Sequence, residues 1–506
     1  MGVSQVVRRQ WDQHPLSLIL LGAGFFRLLA VLFSKGYGMH DDHFLVIEAA
    51  QSWVDGRDYN YWIPSLSPQV TEPTGHSLLY PGLHYFLFRL LEGIGMFDPQ
   101  AKMYVVRLLH ALLSMTIVVM GYRLADRLQG KGAAKIAGLL LGMLFFMPMM
   151  SVRNLAEFVC IPALLYASVI AVREEHDQRW KPLLLAGLLL GLACSVRFQT
   201  IVFSGGMGLA LLILRRWRQA FALGAGFVGS LVLVQMVTDM IIWGTPFMEL
   251  MAYIRYNIDN AETYGVQRWY NYILLLSGIL IPPVSLFLLF GYLRSWRKHL
   301  LLFLPAFAFL LFHSSFPNKQ ERFILPAIPF VIILGSIGWS AFHAGSQFWM
   351  RNTRLYRGIW IFFWSVNLAP LLFVSTTYSH RSRVEAMVYL SRKADFRELI
   401  VEETNHDYTT QPPLFYLRHW TSPLELHSGI TMDTLKARMA ARIPAHRPNY
   451  VVFNQEDDID ARVAAFNREF PGLTYETTIY PSFVDEVMHW LNHHNANFSA
   501  YVYRFE

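Results

Sequence analysis

The sequence is short of charged residues and of cysteine. Only 16% of its 506 residues are charged, whereas soluble domains carry about 25%. Its two cysteines, Cys160 and Cys194, both lie in apolar segments, so neither a disulfide framework nor a zinc site is indicated. The small-residue cleavage site of a secretory signal is also missing after the first apolar run. These absences argue against a soluble domain and against a disulfide-stabilised secreted one.

Long apolar runs take the place of the missing charge. Hydrophobic residues make up 54% of the chain, and most of the runs approach the roughly 20 residues that span a bilayer. The sequence therefore predicts an α-helical polytopic membrane protein with about eleven transmembrane helices. The predicted spans are 15–34, 105–124, 136–150, 155–172, 182–196, 198–214, 220–243, 270–293, 300–316, 323–343 and 358–375.

Basic residues cluster in every second connection between these spans. Such clusters mark the cytoplasmic face of a membrane protein, so they place the N-terminus in the cytoplasm and the C-terminus outside. Short clusters spread between apolar runs also argue against a nucleic-acid partner. We expect an integral membrane protein. The compact termini favour the bacterial inner membrane, and the endoplasmic reticulum is the alternative.

Two segments do not have the pattern of membrane spans. Residues 35–104 form a long outer loop within a transmembrane domain that covers 1–379, and we expect interfacial helices in it near 44–54 and 76–94. The composition changes over 380–506, which we predict to be a small soluble α/β domain outside the membrane. Its strand-like runs are 399–401, 450–453 and 500–503, and its amphipathic helices are 432–441 and 460–466.

The unusual polar residues all fall on the predicted outer side, where a membrane protein handles a polar substrate. His40-Asp41-Asp42-His43 directly follows the first span. An outer carboxylate there is available as a general base. The alternative is that Asp41 or Asp42 simply caps the helix that begins at Phe44.

Further polar groups lie at the outer ends of later spans. Asp239 falls in the last turn of a span, where it must pair with a base, face a wet cavity or lock two helices by a hydrogen bond. Arg153 and Arg197 lie at the tips of two hairpins, where a lone arginine also occurs as a snorkelling residue. Glu157 lies one helical turn from Arg153 and is a possible partner for it.

The most specific string begins at Pro317 and contains Lys319, Glu321 and Arg322. Cationic side chains in an outer connection break the positive-inside trend. A phosphate ligand would account for them, because lysine and arginine make charge-assisted contacts to its oxygens. The alternative is a structural pairing of Glu321 with Arg322 in a tight turn. Tyr264 to Arg268 lie on the same predicted side.

Taken together, these strings resemble the GT-C superfamily of polytopic glycosyltransferases. Within it they are most similar to the mannosyltransferases of N-glycan and GPI-anchor assembly, which use lipid-phosphate-linked mannose. His40-Asp41-Asp42, followed by Glu48, resembles the family's His-Pro-Asp-Glu motif after the first span. In that register Asp41 takes the family's Asp position and Asp42 its Glu position. A register one residue later makes Asp42 the key residue.

Three more strings follow in the family's order, and the resemblance covers about residues 15–390. The segment 239–257 is similar to an Asp…Tyr-Gly…Tyr-Asn stretch, and 264–270 to a Tyr-Gly…Trp…Tyr stretch. Residues 318–329 resemble the signature His-Lys-Glu-x-Arg-Phe…Pro…Pro. Here Asn318 replaces the histidine, and Glu321 and Arg322 are one residue closer together than in the signature.

The resemblance implies an inverting glycosyltransferase. It would move a sugar, expected to be mannose, from a polyprenyl- or dolichyl-phosphate donor to a hydroxyl of a glycan, lipid or other acceptor outside the cytoplasm. It implies Asp41 or Asp42 as the base and Lys319, Arg322 and Arg197 as phosphate ligands, without a metal or other cofactor. The remaining site candidates are His40, Glu48, Arg153, Glu157, Asp239, Tyr264, Arg268 and Glu321.

A transporter or flippase of a lipid-linked sugar is the alternative function, because it would use the same basic outer cavity to hold phosphate. The sequence has no paired inverted repeats of the kind that many such transporters carry. A structural membrane subunit is a third class. It would leave the grouping of Asp41, Lys319 and Arg322 unexplained.

Overall fold

The computed structural model describes residues 9–175, 179–263, 265–491 and 498–505. Within it the chain forms two compact units. Unit 1 comprises residues 1–31, 61–83 and 105–375, and unit 2 comprises residues 32–60, 84–104 and 376–506. Helices Leu79–Gly93 and Pro99–Gln129 contribute residues to both units.

Unit 1 is helical. Among the described residues, six helical segments are long and apolar enough to cross a membrane, and four shorter apolar helices accompany them. The predicted total of about eleven spans remains a prediction. The helices of this unit, in chain order, are Pro15–Phe33, Lys131–Met143, Met147–Met150, Ala156–Val159, Ile161–Arg173, Lys181–Val196, Phe198–Thr200, Ile201–Ile213, Trp217–Leu231, Val232–Met236, Val237–Ile242, Met248–Asp259, Asn271–Ile279, Val284–Arg294, Leu300–Ser315, Glu321–Ala327, Ile328–Gly345, Gln347–Arg351 and Thr353–Ser375.

Small residues let some of these helices pack with their backbones in contact. A Cβ atom on Gly226 would lie 2.1 Å from the carbonyl oxygen of Leu184, and one on Gly187 would lie 2.1 Å from that of Leu223. Only glycine fits at such distances, as in the small-residue interfaces of many membrane helices. Helices Lys181–Val196 and Trp217–Leu231 are therefore held close together.

A buried arginine links three helices of unit 1. Arg27 lies in the first span and is 1% exposed. Its guanidinium donates hydrogen bonds to the Ser114 hydroxyl at 2.7 Å and to the Gly142 carbonyl at 2.8 Å. Because backbone and hydroxyl oxygens satisfy the guanidinium, this cation is tolerated inside an apolar bundle. Arg27 was not among the residues predicted from the sequence.

Unit 2 assembles three segments that are far apart in the chain. Residues 32–60 begin with an isolated bridge between Gly36 and Ser379 and continue through a one-turn helix, a π-helical turn and a short α-helix. Near the predicted interfacial segment at 76–94, a helix begins at Leu79. The helices that lie wholly within unit 2 are His40–His43, Phe44–Glu48, Ala49–Val54, Arg381–Ser391, Leu414–Leu417, Met432–Ala440, Pro444–His446, Ile459–Glu469 and Phe483–Leu491.

A five-stranded mixed sheet forms the centre of the C-terminal part of unit 2. The strands follow the order β2-β1-β3-β5-β4, with β1 parallel to β2 and β3, and β5 antiparallel to β3 and β4. Leu435 and Phe466 come from two helices and pack against strand residues such as Val451 in the core. The strands are β1 Leu399–Glu403, β2 Leu424–His427, β3 Tyr450–Asn454, β4 Thr474–Ile479 and β5 Ala500–Arg504.

The predicted fold class is confirmed as a mostly helical protein with several apolar helices and a small C-terminal α/β sheet. The three predicted strands and the two predicted helices of the C-terminal part are present, and β2 and β4 were not predicted. The domain division at residues 379 and 380 stays a prediction.

Candidate active site

The candidate base lies on the one-turn helix His40–His43 in unit 2. Both carboxylate oxygens of the buried Asp42 accept backbone hydrogen bonds, from Gly38 N at 2.9 Å and from Met39 N at 3.0 Å. Asp42 thus caps the start of helix His40–His43, and not the helix at Phe44 that was the alternative considered from the sequence. Asp41 is half-buried and His40 is exposed, with its ring stacked on Phe44. Asp41 is therefore the more exposed of the two carboxylates.

Four aromatic rings form a stack that includes His43, the last residue of this helix, and so holds the end of the helix in place. The order is His380, Tyr37, His43 and Tyr416, with centroid separations of 4.3, 4.8 and 5.4 Å. The buried Glu48 carboxylate completes the group: it contacts His43 Nε2 at 3.2 Å and accepts a hydrogen bond from the Phe415 amide at 3.1 Å. Glu48 is the last residue of the π-helical turn Phe44–Glu48, a distortion that occurs frequently at functional sites.

A second group of predicted residues meets in unit 1. Glu157 Oε1 lies 3.1 Å from Arg197 and 3.6 Å from Arg322, and this carboxylate is buried. Both guanidinium groups also lie over the ring of Phe323, at 5.3 and 5.6 Å from its centroid. We call Glu157, Arg197, Arg322 and Phe323 the arginine cluster. It carries two positive charges and one negative charge.

Local structure explains why these side chains meet. Arg197 is the first residue after helix Lys181–Val196, and its extended backbone turns the chain into helix Ile201–Ile213. Arg322 lies in a 3₁₀ turn that leads into helix Ile328–Gly345, and its Nε donates to Gln320 Oε1 at 2.8 Å. Arg322 thus contacts Gln320 and Glu157, whereas Glu321 was the alternative partner considered from the sequence.

The other predicted residues of unit 1 have different surroundings. Lys319 is buried, its ammonium contacts the carbonyl oxygen of Phe316, and burial lowers its pKa. Glu321 and Arg268 are exposed, and Arg268 donates to the Tyr270 hydroxyl at 3.1 Å. Arg153 is buried. Tyr264 lies outside the described residues.

An apolar pocket of about 290 Å³ adjoins the arginine cluster within unit 1. Phe323 belongs to both, and Tyr253 lines the pocket while its hydroxyl interacts electrostatically with Arg197, Glu157 and Arg322. Burial raises the pKa of Tyr253, so its hydroxyl stays neutral. The pocket walls are otherwise largely hydrocarbon, with Phe198, Ile201, Val202, Leu250, Ile254, Phe312 and Phe316 among them.

Asp239 belongs to a different group of contacts, a buried pair of carboxyl groups. The Gln235 amide donates to Asp239 at 3.1 Å and to Glu249 at 2.8 Å, and the Leu78 amide donates to Glu249 at 3.1 Å. Burial, together with the charge of Asp239, raises the pKa of Glu249 to about 7. These contacts favour the interhelical hydrogen bond that was one alternative for Asp239.

Glu249, Tyr253 and the ring stack around His43 were not predicted from the sequence. Glu249 carried a usable signal, because it is an acidic residue ten positions after Asp239 in an apolar region. Tyr253 and the rings carried none, since single aromatics are common in this chain. Among the described residues, no three His, Cys, Asp or Glu side chains form a group that could hold a metal ion.

Comparison with known proteins gives a consistent result. A model of the Alg9-like mannosyltransferase family matches residues 19–420. Mannosyltransferase APTG1 of Arabidopsis thaliana is 23% identical over 399 residues, which are 73% of this chain and 69% of that protein. A probable Dol-P-Man:Man(7)GlcNAc(2)-PP-Dol alpha-1,6-mannosyltransferase of Schizosaccharomyces pombe is 27% identical over 176 residues, which are 34% of this chain and 32% of that protein.

A solved structure shares the fold. ArnT from Cupriavidus metallidurans, bound to undecaprenyl phosphate, superposes with a TM-score of 0.56 at 12% identity and covers 98% of both chains. This confirms the GT-C-like fold that the sequence predicts. No comparison supports the transporter alternative. Because the family model matches most of its length, this integral membrane protein belongs to the Alg9-like mannosyltransferase family and is a glycosyltransferase.

Proposed function

We propose that the protein transfers mannose, with inversion, from a polyprenyl-phosphate-linked donor to an acceptor hydroxyl outside the cytoplasm. One observation carries the choice of donor: the arginine cluster shares Phe323 with an apolar pocket of about 290 Å³. A lipid phosphate has the same two-part character, with an anionic group joined to hydrocarbon. The name of the Schizosaccharomyces pombe relative includes a dolichyl-phosphate-mannose donor and supports this choice.

The arginine cluster suits a group whose negative charge grows during the reaction. When the bond from mannose to phosphate breaks, the departing phosphate gains charge, and fixed guanidinium groups stabilise it most in the transition state. A planar guanidinium group can also donate two parallel hydrogen bonds to two oxygens of one phosphate. Glu157 holds Arg197 and Arg322 in place before the donor arrives.

A single general base completes the chemistry. A polyprenyl phosphate is a weak base and leaves without being protonated, unlike the sugar alkoxide in a glycosidase reaction. The acceptor oxygen must lose its proton as it attacks C1 of mannose, and Asp41 is our candidate for accepting that proton. Displacement in line with the leaving group converts a β-linked donor into an α-linked product.

The test is direct transfer by the purified full-length protein in lipid nanodiscs. Synthetic polyprenyl-phosphate β-mannose is supplied with a panel of mannosides and glycolipids, and released lipid phosphate and product anomer are measured. We expect lipid phosphate to appear together with an α-mannoside. A β-mannoside would contradict inversion. Release that requires nucleotide-linked mannose in place of the lipid donor would contradict the proposed donor.

A further inference from the structure

A second pocket lies wholly within unit 2. It has a volume of about 410 Å³, which is within the range of small-molecule sites. Its walls come from helix Ala49–Val54 and the residues after it, the end of helix Leu79–Gly93, the start of helix Pro99–Gln129 with Phe97 before it, and residues 415–420. Arg418 has a left-handed backbone conformation, with φ of 59°, and ends the helix Leu414–Leu417. This turn presents Trp420 to the pocket, which we call the Trp420 pocket.

A hydrogen-bonded network fixes the polar wall of this pocket. The buried Lys102 donates to Gln51 Oε1 and to Glu92 Oε1, both at 2.7 Å. The Gln51 amide donates to Glu92 at 2.8 Å and to Asp55 at 3.1 Å, and the Trp420 indole donates to the other oxygen of Asp55 at 2.6 Å. The side chains are thus held in one arrangement before any ligand binds.

Both signs of charge face this pocket. Asp55 and Glu92 contribute carboxylates, and burial alone would raise the pKa of Glu92, but the hydrogen bonds from Lys102 and Gln51 lower it, so the group is ionised. Lys102 is joined by two further cationic residues of the lining, Arg57 and Arg418. Donors and acceptors therefore alternate around the cavity.

This mixture selects one class of ligand. An apolar molecule would remove several ionised groups from water without replacing their hydrogen bonds. A phosphate or carboxylate would be attracted by the cationic residues, but Asp55 and Glu92 repel it and offset part of that attraction. A sugar ring carries hydroxyl groups that both donate and accept, and its C–H face packs on an indole ring such as that of Trp420.

The position of the pocket associates it with the acceptor. Phe415 lines the pocket, while its backbone amide holds Glu48 and its ring lies next to His43. The helix that carries Asp41 and the Trp420 pocket thus share a structural neighbour within unit 2. The molecule that gives up a proton to Asp41 is the acceptor.

We infer that the Trp420 pocket binds a saccharide ring of the acceptor glycan, an inference that rests on the proposed mannosyl transfer. The first probe is α-linked mannobiose, with inorganic phosphate as the second. Binding to the full-length protein in nanodiscs is followed by saturation-transfer NMR. Release of lipid phosphate from polyprenyl-phosphate mannose is measured separately on the same preparations.

We expect mannobiose to bind the unaltered protein, and Trp420→Ala to weaken that binding by about tenfold or more, as large central aromatics do elsewhere. Trp490→Ala is the matched control, because Trp490 is 74% exposed and does not line the pocket. It should leave mannobiose binding unchanged. Phe97→Ala is the second pocket variant. Phe97 lines the pocket and is 53% exposed, so this variant remains informative if Trp420→Ala does not fold.

Three results would overturn the inference: mannobiose fails to bind, phosphate alone binds, or neither pocket variant weakens mannobiose binding. Failure of the proposed function looks different. Mannobiose would then bind in a manner that depends on Trp420, while no lipid phosphate is released from the donor under any condition.

Discussion

At the scale of single residues, Asp41 and Asp42 are neighbours with different surroundings. Asp42 gives both oxygens to the amides of Gly38 and Met39, whereas Asp41 is half-buried. Asp41→Asn keeps the shape of the side chain and should lower kcat by about 10²–10⁴-fold, the usual contribution of a general base. Asp42→Asn should lower stability by about 0.5–2 kcal/mol, because its amide nitrogen cannot accept a backbone hydrogen bond.

Transfer rates and thermal unfolding of the two variants decide between the registers. Donor binding should persist in both variants. Near-normal turnover in Asp41→Asn, together with a stable but inactive Asp42→Asn, would assign the base to Asp42.

Arg322 provides a test of the phosphate assignment. Removing one charge-assisted contact typically costs about 1.5–3 kcal/mol, so Arg322→Ala should lower kcat/KM by about 10- to 100-fold. The loss should appear in kcat as well as in KM, because the phosphate gains charge in the transition state. Arg255→Ala is the matched control, since Arg255 is exposed on helix Met248–Asp259. If Arg322→Ala and Arg255→Ala have the same kcat, Arg322 does not contact the donor phosphate in the transition state.

Glu249 makes stability depend on pH. Its pKa in the fold is about 7, above its ordinary value of 4.5, so the fold favours the protonated carboxyl group. The stabilisation by this proton is fully present below about pH 4.5 and is lost as the pH rises through 7. Glu249→Gln replaces the proton with a permanent donor.

We therefore expect the melting temperature of Glu249→Gln, relative to the unaltered protein, to be higher at pH 8 than at pH 5. Thermal unfolding in detergent at both pH values measures this difference. Glu321→Gln alters an exposed carboxylate and should show no such difference. A pH-independent offset for Glu249→Gln would mean that Glu249 is ionised throughout.

At the scale of elements, helix packing depends on individual glycines. Gly226→Ala would place a methyl group 2.1 Å from the Leu184 carbonyl, whereas a Cβ on Gly224, on the same helix, meets no atom within 4 Å. We expect Gly226→Ala to lose about 1–3 kcal/mol of stability, as overpacked interiors do. Gly224→Ala should be neutral. Similar melting temperatures for the two variants would contradict the close approach of these helices.

Most helices and strands were predictable from the sequence, and the elements that were not predicted have weak local sequence patterns. Long apolar runs indicate helices because a single segment that crosses a bilayer must satisfy its own backbone hydrogen bonds, as an α-helix does. Strand β3 was predicted from the apolar run of Tyr450 to Phe453. Strand β2 has only four residues, and strand β4 is partly exposed and rich in threonine, so neither has a strong pattern. A π-helical turn such as 44–48 has no signature in sequence.

The grouping of candidate site residues was predictable where charge was unusual. Arg197 and Arg322 stood out because cationic residues in outer connections break the positive-inside trend, and unit 1 brings them together with Glu157. Their partners could not be predicted. Pairing depends on how the helices pack. Glu157 contacts Arg197, which belongs to another hairpin, whereas the sequence indicated only its neighbour Arg153 as a partner. Trp420 was not predicted as a pocket residue. Its hydrogen-bond partner Asp55 lies 365 residues earlier in the chain, so sequence spacing gives no indication of the contact.

At the scale of the whole molecule, membrane orientation is the open prediction. The chain suits cysteine labelling, because its native thiols at Cys160 and Cys194 are buried. Trp180→Cys and Trp296→Cys should react only from the cytoplasm, and Ser428→Cys only from the outside. All three side chains are exposed. Reaction of Ser428→Cys with a cytoplasmic reagent would reverse the predicted orientation of the C-terminal part.

The hydrogen bond between Glu48 and the Phe415 amide joins residues 367 positions apart. A ribosome that adds about 5–20 residues per second needs roughly 20–70 s to cover that distance. During this interval the segment that carries Asp41 has left the ribosome, but Phe415 and Tyr416 do not yet exist to pack against it. A nascent chain therefore holds the helix of the candidate base without its packing partners until residues 415 and 416 are made, and we expect sugar transfer to begin only after that point.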